Sequence, residues 1–461
     1  MTTMTDRYPT LRATIDERMP RWTEELTEVC RIPSEASDIG ALRAAAGWTA
    51  ERLRRLGATV DIVEVPGQPE VPPLVVGEIG EGPRTLTMVQ HYDVQPAAPH
   101  DLWTTPAYEP AVRDGRLYAR GATDNKGEMM SRIWGVEAYL ATIGPLPCRI
   151  RFLVEGEEES GSEHLDALLD QRPDLRRAEG ALIEGGGVDA LGRPVLTAGA
   201  RGGVSAELVA RTLRYDAHSS LATVLPSAPV RLVLALATLY DRHGVPNWPG
   251  LETGARKPTE AQLAAIAALP TEDLDAMKAE YGVSAFIGGR EGAAAWLADA
   301  FAVTCNIQGL WSGYTGPGGN TIVPAEAHAR LDMRIIPDQD PAEVLTALRA
   351  HLDAQGFSDI EMRSFEGAEP AYWSDIEDPI VEAAAIASEA VFGKPALRYV
   401  SMSGIVPMHQ VCARHGVPMT TLGGATEDCR AHAPDENYPL SGAADAAEVT
   451  ARFLDIFAGQ G

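Results

Sequence analysis

The chain has 461 residues, 45% of them hydrophobic and 23% charged, which suits two domains or one large domain with an insertion. Its net charge of −26 leaves no basic stripe to neutralise phosphates or to hold an anionic bilayer, so neither a nucleic-acid nor a membrane partner is expected. The five cysteines (Cys30, Cys148, Cys305, Cys412 and Cys429) are scattered, with no CxxC pair and no disulfide framework, as in a reducing compartment. Residues 1–7 lack the apolar core of a signal peptide, and the longest apolar stretch, near 230–240, is broken by Arg231 and too short for a bilayer. A cytoplasmic protein is expected.

In chain order, Leu11, Ile15, Met19, Trp22, Leu26 and Val29 recur at helical spacing, which predicts a helix over 9–30, stopped by Pro33. A second helix is expected over 39–56, ending at Gly57. Short β-rich runs follow at 59–65, 74–79 and 86–90, then a helix over 128–143 and a strand over 148–154. Another strand leads into Glu184. Strands alternating with helices indicate an α/β fold around a mostly parallel sheet.

The pattern changes near Gly199. Alternating strands are expected at 204–210 and 327–336, with a helix at 229–241 between them and a Pro-rich, then Ala-rich stretch over 244–300. This predicts a smaller α+β domain at 201–371, inserted between 1–200 and 372–461 of the main domain. The α/β character returns with a helix over 376–392, a strand over 417–422 and a helix over 443–457.

The run ending at His91 stops at a His-Tyr-Asp triplet, and a strand that ends on polar side chains puts them at the rim of a sheet, where open α/β folds build their sites. Asp93 lies on the same face as His91 and could fix its tautomer. Asp124 in a Gly-rich turn, Glu158 and Glu159 after the 148–154 strand, Glu184 after the next, and His432 in a late loop occupy comparable places. Singly, these have plain readings: an Asx turn, a solvated acidic loop, a surface histidine. Together, two histidines and three carboxylates make a ligand set for two zinc ions, with one further glutamate to spare. Mn²⁺ or Co²⁺ would suit the same donors.

His91-Tyr92-Asp93, Gly-Ala-Thr-Asp-Asn-Lys-Gly at 121–127, the acidic run at 155–162 and Ala431-His432-Ala433-Pro434 resemble the M20 metallopeptidases, a group of carnosinase-type dipeptidases, aminoacylases, glutamate carboxypeptidases and desuccinylases. The resemblance covers nearly the whole chain, including Trp103 and 114–121. It implies a di-zinc catalytic domain carrying a lid and dimerisation domain. It also implies a bridging Asp124 followed by a cis peptide, with Glu159 and His432 on one zinc and His91 and Glu184 on the other. Glu158 would be the general base. His218, in Asp216-Ala217-His218-Ser219-Ser220, matches the segment that reaches the partner subunit's site in a homodimer to stabilise the oxyanion. Asn320 and Arg334 match substrate-holding segments, and Arg334 offers a planar fork for a substrate carboxylate.

Two departures bear on the substrate. Glu184 stands where carnosinase-type dipeptidases usually have Asp. The Arg-x-Gly-Gly-Ser-x-Pro loop survives only as 401–407, where Ser403 and Gly404 are the candidate contacts. The expected activity is amide hydrolysis of dipeptides or short peptides. N-acyl amino acids are the alternative substrate, and a non-catalytic binding scaffold, which would not need Glu158, is the remote one.

Overall fold

A computed structural model describes residues 8–365 and 367–459; the stretch 1–7, read above for a signal peptide, lies outside them. The chain forms two compact units. The first comprises residues 1–199, 373–401 and 407–461, and the second 200–372 and 402–406.

The first unit is built on a six-stranded sheet. Its strand order is Thr59–Val63, Leu74–Ile79, Arg149–Glu155, Thr85–His91, Gly180–Ile183 and Met419–Thr421. The first two strands run antiparallel to their neighbours, and the last four are mutually parallel. The mixed α/β fold with a mostly parallel sheet is therefore as expected from the alternation of strands and helices. Such strands are covered on both faces, which is why 150–154 and 181–183 are continuously buried. Four parallel strands also bring their carboxyl ends to one rim. His91 is paired in register with Glu155 there, and Glu184 directly follows Gly180–Ile183.

Helices Tyr8–Cys30, Lys126–Thr142, Pro379–Phe392 and Leu440–Ala458 complete the packing. Trp22 stacks on Trp134 with ring centroids 5.3 Å apart, joining the first of these helices to the second. Leu440–Ala458 packs against Lys126–Thr142 so closely that a Cβ at Gly135 would lie 2.6 Å from the Ala447 carbonyl oxygen. Helix Ile39–Leu56 starts on an Asp38 side chain that accepts from the Ala41 amide, and ends on Gly57 in the left-handed region. Its buried Arg52 donates to Glu25 at 2.8 Å and to Glu137.

The second unit is α+β. Its antiparallel sheet runs Asn306–Ser312, Glu326–Ile335, Gly199–Arg211, Glu361–Ser364. Helices Ala228–Leu236 and Pro341–Ala354 accompany it, and Met402–Ile405 adds a short parallel pairing at the start of the long strand. The stretch 244–300, read from sequence only as Pro-rich and then Ala-rich, holds helices Glu260–Ala267, Glu272–Tyr281 and most of Gly292–Phe301. The first opens on a capping box in which Thr259 and Gln262 satisfy each other's backbone N–H. Strand Asn306–Ser312 also escaped the sequence reading. It is an edge strand with much of its length in water, so it carries no run of buried residues.

Among the described residues no helix is long and apolar enough to cross a membrane.

Candidate metal centre

The six polar residues singled out at the strand ends and loops of the first unit converge. His91 closes its strand and is buried, and its Nδ1 lies 3.2 Å from Asp93 Oδ1 and 3.1 Å from the Asp93 carbonyl oxygen. Both neighbours are acceptors, so Nδ1 carries a proton and Nε2 faces the other carboxylates. Nε2 meets Glu184 Oε2 at 2.8 Å, Asp124 Oδ1 at 3.1 Å and Glu158 Oε2 at 4.0 Å. His432 mirrors it from the late loop, with Nε2 at 2.9 Å from Asp124 Oδ2 and 3.2 Å from Glu159 Oε2. Asp124 thus shows one oxygen to each histidine.

Local structure explains these placements. Asp124 sits on a turn whose next peptide, Asp124–Asn125, is cis, as the family resemblance implies. Gly127 is required there because a Cβ would come within 2.0 Å of the Ala122 carbonyl oxygen. Glu158 and Glu159 ride a single 3₁₀ turn, Glu158–Ser160, and the Glu159 amide donates to Asp93 Oδ2 at 3.0 Å. Asp93 therefore holds His91 through its carbonyl oxygen, with Oδ1 alongside, and the glutamate turn through Oδ2. His432 itself has φ of 61°, between Arg430 at 58° and Asp435 at 59°, three non-glycine residues in the left-handed region within six positions. Such a run is uncommon and persists where the surroundings impose it.

The electrostatics of the metal-free cluster are those of too many acceptors. Burial opposes a charged His91, yet Glu184, Asp124 and Asp93 raise its pKa well above the usual imidazole value. Hydrogen bonds to Asp124 and Glu159 lift His432 to about 10. Asp124 is buried, which would raise its pKa, but its bonds to His432 and His91 hold it far below the ordinary carboxylate range. Glu158 goes the other way: burial, and then the charge of Glu184, raise it well above that range.

These residues fit metal cations. Glu159 Oε1 is buried with no hydrogen-bond partner, and Glu184 Oε2, also buried, has only His91 Nε2 against it, at 2.8 Å. A buried carboxylate oxygen left so is costly unless a cation lies against it. His91 with Asp124 and Glu159, and His91 with Glu158 and Glu184, each offer three donor atoms within 4.8 Å of one another. Nitrogen and carboxylate donors without thiolate suit zinc, manganese or cobalt.

The expected residues of the second unit are placed differently. His218 and Asn320 are exposed and close in the fold, since His218 pairs with Ile322 in a two-stranded ribbon. The Ser220 amide donates to His218 Nδ1 at 3.2 Å, which puts the ring proton on Nε2 and leaves that donor free. Arg334 is half-buried, with Nε 3.4 Å from Asp332 Oδ2. Ser403 and Gly404 are exposed on Met402–Ile405, and Ser403 Oγ donates to Asp299 Oδ1 at 3.3 Å.

Three residues around the metal cluster were missed from sequence. Gln95 Nε2 donates to Glu159 Oε2 at 2.9 Å, Glu128 Oε2 accepts from the Gly185 amide at 2.9 Å, and Glu436 carries the Asp124 turn. Position alone offered a clue to Glu436, four residues beyond His432 in the same loop.

Comparison with known proteins gives the family. A family model described as peptidase family M20/M25/M40 matches residues 88–456. Beta-Ala-His dipeptidase of Rattus norvegicus is 28% identical over 370 residues, 75% of this chain and 73% of the relative. Cys-Gly metallodipeptidase of Schizosaccharomyces pombe is 27% identical over 357 residues, covering 73% of this chain and 74% of the relative. The crystal structure of an M20 family metallo-carboxypeptidase from Sulfolobus solfataricus aligns with a TM-score of 0.86 at 29% identity, covering 95% of this chain and 99% of that one. The family match takes in the His91 strand, the Asp124 turn, the glutamate turn and the His432 loop, and so the chain belongs to peptidase family M20/M25/M40 as a metallopeptidase.

Proposed function

We propose that this metallopeptidase is a di-zinc dipeptidase that hydrolyses the amide bond of dipeptides or short peptides. The observation that carries the reading is Asp124, which shows one oxygen to His91 and the other to His432. His91 and Glu184 would hold one zinc, Glu159 and His432 the other, and Asp124 both. The chemistry such a pair supplies is polarisation of the scissile carbonyl and acidification of a water.

The chain's own residues do the rest. Glu158 takes the proton of the attacking water and returns it to the leaving amine. Asp93 keeps His91 in one tautomer. His218, supplied by the second subunit of a homodimer, donates Nε2–H to the developing oxyanion. Arg334 pairs with the substrate carboxylate, Asn320 donates a neutral hydrogen bond, and Ser403 and Gly404 bound the pocket.

Homodimerisation through the second unit is supported by two features of its surface. Val230, Val233 and Leu234 on helix Ala228–Leu236 are 57%, 51% and 55% exposed. Edge strand Asn306–Ser312 displays Leu310 and Trp311 beside unpaired backbone groups. An apolar helix face and an open edge both call for a cover, and a second copy supplies both. The free thiols, four of them buried, fit a cytoplasmic location.

Glu184, the glutamate of the aminoacylase and carboxypeptidase branches, favours a second reading, an N-acyl-amino-acid amidohydrolase of the aminoacylase or desuccinylase kind. Amine release from free dipeptides, beside N-acyl amino acids, separates the two when run with added zinc and a chelator control. Chelator-sensitive cleavage of the dipeptides is expected. Cleavage of the acylated panel alone would overturn the dipeptidase reading.

A further inference from the structure

The turn that presents Asp124 is wrapped around a single buried carboxylate. Glu436 is fully buried, and its Oε1 accepts from the Thr123 amide at 2.9 Å and the Asp124 amide at 3.0 Å. Its Oε2 accepts from the Gly121 amide at 2.9 Å and from Arg120 Nη1 at 2.7 Å. Its own carbonyl oxygen accepts from the Ala119 amide at 3.1 Å. Gly121, with φ of 79°, lets these amides converge. Successive backbone N–H groups pointing into one concavity make an anion nest. Here the anion is a side chain of the same protein, delivered by the loop that also carries His432.

Three of the four hydrogen bonds to the carboxylate come from the backbone, and only one from Arg120. The group is therefore more than half of an ion pair. One amide it accepts belongs to Asp124 itself, so the carboxylate sets the height and rotation of that residue. Rotating the Asp124 backbone would move both oxygens away from His91 and His432 together.

We infer that Glu436 is a positioning residue that fixes Asp124 so that its two carboxylate oxygens serve two cations at once. The inference rests on the reading of Asp124 as the shared ligand. Partners behind metal ligands, when removed, commonly cost about 10- to 100-fold in metal affinity.

Glu436→Gln is the sharpest variant, because its amide nitrogen would face the Gly121 and Arg120 donors with a donor. Glu436→Asp keeps the charge but shortens the reach. Zn²⁺ affinity by competition with a chelating dye and the visible spectrum of the Co²⁺-loaded protein are read alongside thermal unfolding of the full chain. Arg52→Met, which cuts a buried ion pair elsewhere in the first unit, controls for simple destabilisation. We expect Glu436→Gln to bind Zn²⁺ about 10- to 100-fold more weakly with an altered Co²⁺ spectrum. Glu436→Asp should fall between it and the parent, and Arg52→Met should lower the melting temperature alone.

A folded Glu436→Gln with affinity within about twofold of the parent and an unchanged spectrum overturns the inference. Failure of both Glu436 variants to fold also overturns it, since the carboxylate would then be a folding element. Asp124→Asn separates the two layers. If it binds both metals as the parent does, the shared-ligand reading falls and takes the inference with it. If it loses metal while Glu436→Gln does not, the positioning inference alone fails.

Discussion

The two units treat their candidate functional residues in opposite ways. In the first, His91, Asp93, Asp124, Glu159 and Glu184 are held by close polar neighbours and Glu158 rides its 3₁₀ turn, with His432 alone exposed among these candidates. In the second, His218, Asn320, Ser403 and Gly404 lie in the open and Arg334 is half-buried. The contrast separates preorganised chemistry from recognition that is finished by something else, a substrate or another copy. An electrostatic site must be rigid before the reaction, because reorganising it during the reaction would consume the stabilisation it offers. Groups that grip substrate have to be reachable first.

The strongest way to break this division is Glu158→Ala. It should lower kcat by about 10²–10⁴-fold while elemental analysis still finds the parent's metal content. Turnover within about tenfold of the parent would remove Glu158 as the base. His218→Ala comes next, with a loss of about 10²–10³-fold in kcat and no change in metal. Mixing it with Glu158→Ala after dissociation and reassociation should restore activity, because a mixed dimer holds one intact set. No recovery would place His218 in its own subunit's reaction or outside it. Arg334→Met should act on KM rather than kcat, by about 10- to 100-fold, the equivalent of a charged hydrogen bond of about 1.5–3 kcal/mol. An equal effect on a substrate lacking the carboxylate would rule out that pairing.

The smallest effect concerns protons. With its pKa lifted to about 10 by Asp124 and Glu159, His432 in the metal-free chain is protonated at neutral pH. Metal must displace that proton, so affinity should fall by about tenfold for each pH unit lowered, per proton released. Calorimetric titration of Zn²⁺ at pH 7 in buffers of different ionisation enthalpy should show proton release. Heats independent of the buffer would mean that His432 is not a ligand.

The strand-end ligands were legible because a strand pattern that stops at a histidine or glutamate states both the element and the rim. The helices at 8–30 and 39–56 were legible for a related reason, since each buries one stripe, whereas Leu440–Ala458 is buried nearly all round. Strand Asn306–Ser312 and the helices of 244–300 were not, since short or edge elements leave little periodic burial. Glu128, Gln95 and Glu436 were illegible for a different reason. Their work is done on a backbone amide or carboxylate supplied from elsewhere in the chain, over 300 residues away for Glu436, and no local pattern records such a partner.

His432 and Glu436 share one short loop near the end of the chain, while every other metal-site residue lies before position 185. On the ribosome, the early carboxylates and His91 emerge first, and the whole second unit follows before that loop appears. Until then the acidic cluster lacks one imidazole and the Asp124 turn lacks its anion. Closing the proposed centre therefore waits for a loop made after the whole second unit, which ties the finished site of the first unit to the passage of the second.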